Sequence, residues 1–106
     1  MDYFQQSLEI TRKIGNRLRE SRLLTNLGAV FRVLGEYQKA IDYSQKSLEI
    51  ARELGDRMSE ELVLKNLCLV YSIMGNQTKA VEYCKKGLSI SREIGDKRLE
   101  GYLYKR

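Results

Sequence analysis

The sequence predicts an all-α fold in which antiparallel helix pairs stack side by side, an α-solenoid. The main observation is a repeat of 40 residues: positions 2–40 and 42–80 are identical at 18 places, and a third, incomplete copy follows from residue 81. A fixed period of this size indicates stacked supersecondary units, none of which can bury its apolar face alone. Apolar residues recur at helical spacing between glycines, and no alternating strand pattern flanks those glycines.

Glycines divide the chain into about six predicted helices. Gly15, Gly55 and Gly95 each follow an apolar-periodic run and precede Asn or Asp, which is typical of a helix end followed by the N-cap of a new helix. Gly35 and Gly75 mark the other junctions. Since the connections are only two or three residues long, neighbouring helices are expected to be antiparallel. The predicted helices span residues 2–14, 17–34, 37–54, 57–74, 77–94 and 97–105.

The predicted helices are of two kinds. Those at 17–34 and 57–74 are apolar nearly all round, which is typical of inner helices. Those at 37–54 and 77–94 combine an apolar stripe with a charged face, so we interpret them as outer helices with solvated charges.

The chain begins and ends in mid-unit. We therefore expect a single array that is a fragment of a longer one; the alternative is a small protein whose open ends pair in an oligomer, and either way the uncapped ends favour dimerisation or helix exchange. The predicted parts are a partial unit with an outer helix at 1–15, full units at 16–55 and 56–95, and a partial inner helix at 96–106.

Composition favours a globular, non-catalytic protein. Of the 106 residues 42% are hydrophobic and 31% charged, and no apolar stretch is long enough to span a membrane. The N-terminus lacks the pattern of a signal peptide, so a cytoplasmic location is predicted. Cys68 and Cys84 are accordingly expected to be buried, reduced thiols. A redox pair is the alternative, and it would require a short distance between their Cα atoms.

No arrangement of residues suited to catalysis appears. The chain contains no histidine, the commonest general base and metal ligand. It also lacks a nucleophile-elbow motif, a phosphate-binding glycine-rich loop and a zinc-protease motif. We expect no enzyme activity, no cofactor and no metal.

The repeat resembles the tetratricopeptide repeat, whose pattern is W-x2-L-G-x2-Y, then A-x3-F, then P. It departs from that pattern in three respects: leucine replaces the opening aromatic residue, Arg52 and Arg92 replace the closing proline, and the period is 40. The longer period is similar to that of scaffolds that orient the mitotic spindle and bind G-protein α subunits, and equally to bacterial multi-repeat proteins. The matching positions are Leu24, Leu27, Gly28, Phe31, Ala40 and Ser44, then Leu64, Leu67, Cys68, Tyr71, Ala80 and Cys84.

The resemblance implies a right-handed superhelix with the inner helices on its concave side. On the helical wheel, the face opposite the core stripe carries five basic residues and no acidic one, together with apolar side chains. Such a groove is expected to bind an acidic protein segment or peptide with apolar anchors. The residues predicted to form it are Arg22, Thr25, Asn26, Ala29, Arg32, Leu62, Lys65, Asn66, Leu69, Ile73 and Lys105.

Asn26 and Asn66 recur one unit apart on this face. In related repeats an asparagine here binds the backbone of the ligand, which suits an amide because it both donates and accepts. The alternatives are a bond to the neighbouring unit and plain exposure to solvent. Ala29 and Leu69 replace a further asparagine of the family's carboxylate clamp, so we expect no such clamp. Tyr102 is either an aromatic anchor for the ligand or a frayed terminal residue.

Two other functions compete with peptide binding. Self-assembly into dimers or filaments through the open ends is the main alternative. Nucleic-acid binding is suggested by the sequence pI of about 9.3, but the basic residues are sparse and interleaved with Leu and Ile. We therefore predict protein or peptide partners, no nucleic acid and no membrane.

Overall fold

Residues 2–104 form four α-helices joined by three short turns. The computed structural model describes the backbone of residues 2–104 and the side chains of residues 9, 10 and 12–95. The helices are α1 (Asp2–Val33), α2 (Tyr37–Leu54), α3 (Arg57–Ile73) and α4 (Gln77–Tyr104). Residues 2–104 contain no strand, so the predicted all-α class is confirmed.

The predicted number of about six helices is wrong. Helix α1 continues without a break through Gly15, and α4 continues through Gly95. Each of these long helices joins a segment of the outer type to one of the inner type. The predicted turns at Gly35, Gly55 and Gly75 are confirmed, and all three glycines have positive φ.

The turn between α2 and α3 is closed by backbone and side-chain bonds together. Gly55 adopts the left-handed conformation (φ 66°), and the amide of Asp56 donates to the carbonyl of Ala51 at 2.9 Å. The carboxylate of Asp56 then accepts from the amide of Ser59 at 3.2 Å and from its hydroxyl at 2.6 Å. Asp56 therefore caps the first turn of α3.

The two junctions that stay helical lack this capping pair. The position of Ser59 is occupied by Arg19 after Gly15 and by Leu99 after Gly95, and neither side chain has a hydroxyl. The turn at Gly55 is also supported by packing of α2 on α3 and by an ion pair between Arg52 and Glu60 at 3.3 Å. Breaking a helix sacrifices backbone hydrogen bonds, so the break forms where a cap and tertiary contacts offset that loss.

The core surrounds α3. Helix α1 packs on α2, α3 packs on α4, and α2 and α3 pack on each other, which joins the two helix pairs. Leu64 and Leu67 are completely buried. The buried cluster consists of Ala40, Ile41, Leu48, Val63, Leu64, Leu67, Val70, Tyr71, Ala80 and Ile90.

Helices α1 and α2 approach most closely at Gly28. A Cβ atom on Gly28 would lie 2.6 Å from the hydroxyl of Ser44, so any side chain here would force Ser44 to move. One turn away the contact is polar and buried: the hydroxyl of Ser47 donates to the carbonyl of Ser21 at 3.0 Å. The two helices are thus held by short polar side chains at this point.

The corresponding contact between α3 and α4 is covalent. Cys68 and Cys84 occupy the repeat positions of Gly28 and Ser44, and they form a disulfide with a Cα–Cα distance of 5.2 Å. The prediction of reduced thiols is therefore wrong, and the two cysteines form the close pair that was the alternative. A disulfide that closes a loop of about 15 residues stabilises a fold by about 3 kcal/mol. The cytoplasmic location stays a prediction. The disulfide does not favour it, because stable disulfides are more typical of oxidising compartments.

Equivalent ion pairs tie the helices of each pair together at the other end. Arg17 donates to Glu53 at 2.7 Å, and Arg57 makes the same contact with Glu93. Hydrogen bonds to Glu53, and secondarily to Glu20, raise the pKa of Arg17 above its ordinary value. The hydrogen bond to Glu93 raises the pKa of Arg57 in the same way. These side chains are about half exposed, so each pair contributes little to stability.

Within the described residues, none of the helices combines the length and the apolar character that a membrane span requires.

Candidate protein-binding face

Ten of the eleven predicted groove residues, all except Lys105, lie on α1 and α3, which contact each other. Six of them are exposed and form what we call the inner face. Its apolar members follow one stripe of α3, because Leu62, Leu69 and Ile73 are separated by seven and four residues. The inner face consists of Arg22, Asn26, Leu62, Lys65, Leu69 and Ile73.

Asn66 is not available on that face. Its side chain is only 8% exposed, and both ends of its amide are bonded. Nδ2 donates to the hydroxyl of Ser44 at 2.9 Å, and Oδ1 accepts from Nε of Arg32 at 2.8 Å. The contact to a neighbouring unit, which was the structural alternative for Asn66, is therefore present. Asn26, its equivalent on α1, is exposed.

Thr25 and Ala29 belong to the border of the inner face rather than to its surface. Both are half-buried. The hydroxyl of Thr25 donates to the carbonyl of Ser21 at 2.9 Å and also contacts the hydroxyl of Ser47. Thr25 is thereby committed to the contact with α2. Lys105 lies outside the described residues, as do the side chain of Tyr102 and the whole of Arg106.

The inner face is less uniformly basic than the helical wheel predicts. Nζ of Lys65 lies 2.6 Å from a carboxylate oxygen of Glu61, which is one turn away on α3. Glu61 is largely shielded, so the pair neutralises much of the charge on α3. The positive charge of the face is therefore concentrated on α1, at Arg22 and at the half-buried Arg32.

An open cleft of about 380 Å³ adjoins the apolar stripe between α3 and α4. Leu62 belongs to both the stripe and the cleft, and Met58 extends the exposed apolar surface by one turn. The cleft is lined by Met58, Glu61, Leu62, Ser91, Ile94 and Gly95.

Sequence reasoning missed a pair of stacked rings that recurs in both units. Phe31 stacks on Tyr43 with ring centroids 5.3 Å apart, and Tyr71 stacks on Tyr83 at 5.5 Å. Each ring also has a lysine ammonium within 6 Å of its centroid, as Lys39 has over Phe31. Four lysines of this basic chain are thus occupied in packing around aromatic rings. The recurrence of a tyrosine three residues after Ala40 and Ala80 was the available signal.

The profile of the tetratricopeptide repeat family matches residues 2–53 and 19–93. The chain belongs to the tetratricopeptide repeat family. The two matched segments overlap because the sequence is periodic, and together they cover α1, α2, α3 and the part of α4 up to residue 93. Among curated proteins none matches the chain.

Membership identifies the general role of the chain. Tetratricopeptide repeats form helical solenoids that mediate protein–protein interactions and are typically not catalytic. Within the described residues no group of three or more potential metal-binding side chains lies together. The finer subtype with its 40-residue period stays a prediction.

Proposed function

We propose that the inner face binds a segment of a partner protein that is acidic and carries apolar anchors. The observation that supports this most strongly is the exposed stripe of Leu62, Leu69 and Ile73, which runs along α3 beside the positive charge of Arg22 on α1. Apolar anchors would contact the stripe, and acidic side chains would approach α1. The cleft at Met58 offers room for a bulky anchor at one end.

The same observation makes nucleic-acid binding the weaker alternative. A phosphate-binding surface requires a dense row of basic side chains, whereas the inner face alternates Arg22 and Lys65 with leucine and isoleucine, and Lys65 is paired with Glu61. The stacked rings of Phe31 and Tyr71 are engaged with other rings. Of the five aromatic side chains that the structure describes, four are stacked in these pairs and offer little free ring surface on which bases could stack.

The proposal is tested with a labelled peptide that presents leucines at helical spacing with glutamates between them, and with a second peptide in which lysine replaces glutamate. The acidic peptide should bind more tightly, and its affinity should fall moderately with salt. Equal binding of the two peptides would contradict the charge preference.

Two variants then localise the binding. Leu69→Ser removes the middle of the stripe and Arg22→Glu reverses the charge on α1, and each should weaken binding roughly tenfold, or ~1.4 kcal/mol. Leu34→Ser and Lys13→Glu make the same chemical changes at exposed positions outside the inner face, so they should leave affinity unchanged. Equal effects in test and control variants would place the binding site elsewhere.

A further inference from the structure

The contact between α2 and α3 provides a template for contact between two copies of the chain. Its apolar part includes Ile41 and Leu48 on α2 and Val63 and Val70 on α3, all of which are buried. Because the sequence repeats every 40 residues, α4 carries the same positions as α2, and α1 carries the same positions as α3. Each half of this contact therefore occurs a second time in the chain.

The second α2-like half is the exposed side of α4, which we call the trailing face. Val81 and Leu88 stand at the positions of Ile41 and Leu48. Leu88 is 55% exposed whereas Leu48 is 3% exposed, because α2 packs between α1 and α3 and α4 packs on α3 from one side. A depression of about 390 Å³ lies on the trailing face, lined by Lys85, Leu88, Ser89, Arg92 and Glu93.

The second α3-like half is the exposed side of α1, which we call the leading face. Leu23 and Val30 stand at the positions of Val63 and Val70. Val30 is 51% exposed whereas Val70 is completely buried. The two exposed faces at opposite ends of the molecule thus carry the apolar residues of one and the same interface.

Charges on the two faces are also complementary. In the middle contact, Glu60 accepts from Arg52 of α2 as well as from an arginine of its own helix. On the leading face Glu20 already pairs with Arg17 of its own helix at 3.1 Å. The counterpart of Arg52 is Arg92, which lies on the trailing face. Arg92 of a second copy would complete the same arrangement around Glu20.

One polar contact of the template has no counterpart. The equivalent of the bond from Asn66 to Ser44 would be a bond from Asn26 of one copy to Cys84 of the other. Cys84 is engaged in the disulfide, so this bond cannot form. Apolar burial and the charge pair would therefore provide the affinity.

The straight helices leave both faces open. If the chain turned at Gly15 and Gly95 as it does at Gly55, residues 2–14 would fold over the leading face and residues 97–104 over the trailing face. Instead both segments continue the axes of α1 and α4. We infer that the trailing face of one copy binds the leading face of a second copy, head to tail. Such a contact joins two different surfaces, so it adds copies into a filament unless it closes into a ring. Apart from Asn26, which the contact would cover, it uses residues outside the inner face, and it does not depend on the proposed peptide binding.

Light scattering with size-exclusion chromatography across a dilution series tests this inference. The unmodified chain should exceed its monomer mass of 12.3 kDa increasingly with concentration. Val30→Glu disrupts the leading face and Leu88→Glu the trailing face, and both positions are exposed, so folding should be retained. Each variant alone should remain a monomer. Val33→Glu, at an exposed position of α1 outside the leading face, should assemble as the parent does.

Mixing the two variants is the decisive measurement. Val30→Glu keeps its trailing face and Leu88→Glu keeps its leading face, so an equal mixture should form a one-to-one dimer of twice the monomer mass and grow no further. Arg92→Glu should weaken assembly, and mixing it with Glu20→Arg should restore assembly, because residues 20 and 92 then have opposite charges at both kinds of contact between the two variants. A parent chain that stays monomeric at all concentrations, single variants that still dimerise, or a mixture that stays monomeric would each overturn the inference.

Discussion

Gly55 and Gly15 lie in closely similar local sequences, yet the chain turns at one and continues as a helix at the other. At Gly55 the turn is capped by Asp56 and Ser59, and the helices on both sides pack on each other. At Gly15 the next residue is Asn16, which is also a good N-cap, but Arg19 replaces Ser59. A repeated glycine therefore permits a turn, whereas tertiary contacts, assisted at Gly55 by a cap, determine whether it forms.

The same contrast between the middle and the ends of the chain applies to side-chain burial. Equivalent positions are buried near the α2–α3 contact and exposed on the outer sides of α1 and α4, as Val70 and Val30 illustrate. The burial of a side chain at a given repeat position thus depends on how many helices pack against the helix that carries it. Substitutions at equivalent positions should therefore have unequal effects.

The largest difference is expected between Leu64→Ala and Leu24→Ala. Leu64 is completely buried, so its truncation should leave a cavity and destabilise the fold by about 2–5 kcal/mol. Leu24 is half-buried, and its truncation should cost roughly half as much because less apolar surface is returned to water. Denaturant unfolding of both variants measures the difference. Equal losses would show that α1 packs as fully as α3.

A smaller difference is expected between Asn66→Ala and Asn26→Ala. Loss of the Asn66 amide leaves Ser44 and Arg32 without their shared partner, which should destabilise the fold by about 1–3 kcal/mol. Asn26 is exposed, so its substitution should change stability by no more than about 0.5 kcal/mol.

Thermal unfolding and binding of the acidic peptide separate the two roles. Asn26→Ala should weaken peptide binding without lowering the melting temperature, whereas the main effect of Asn66→Ala should be a lower melting temperature. A reversed pattern would mean that Asn66, rather than Asn26, is the asparagine that contacts the ligand.

Much of the fold could be predicted from the sequence because it depends on local pattern. Helical spacing gave the all-α class, and glycine followed by a polar residue gave the turns at Gly35, Gly55 and Gly75. The continuity of α1 and α4 could not be predicted from the glycines and the polar residues that follow them, because the local sequences at Gly15, Gly55 and Gly95 are nearly the same. Ser59 distinguishes the junction at Gly55 by one extra hydrogen bond to the cap residue Asp56, which contributes on the order of 1 kcal/mol, and the rest of the difference is tertiary.

The candidate site was predictable to the extent that it faces solvent. The exposed stripe of α3 follows from the helical wheel, but the burial of Asn66 depends on Ser44, which is 22 residues earlier and on another helix. The pairing of Cys68 and Cys84 had a usable signal: they replace Gly28 and Ser44, small residues at the point where two helices meet. Small residues at the point where two helices face each other indicate that the helices are close there. The repeat shows which positions are equivalent in the second pair of helices.

The comparison between the junctions is tested most directly by the glycines themselves, although the expected effects are the smallest. Gly55 has a φ of 66°, so Gly55→Ala should destabilise the fold by about 1–2 kcal/mol. Gly15 lies within α1, where alanine is the better helix former by about 1 kcal/mol, so Gly15→Ala should stabilise the fold slightly. The two substitutions should therefore act with opposite sign.

Steric clashes do not complicate this test, because a Cβ atom at either glycine would have no atom within 4 Å apart from those of its own helix turn and adjacent residues. Gly95→Ala provides a second case of the Gly15 type, since Gly95 also lies within a continuous helix. Circular dichroism should show unchanged or increased helicity for Gly15→Ala and Gly95→Ala. If Gly15→Ala destabilised the fold as Gly55→Ala does, α1 would have to turn at Gly15 in solution, residues 2–14 would cover the leading face, and head-to-tail assembly would require that segment to open first.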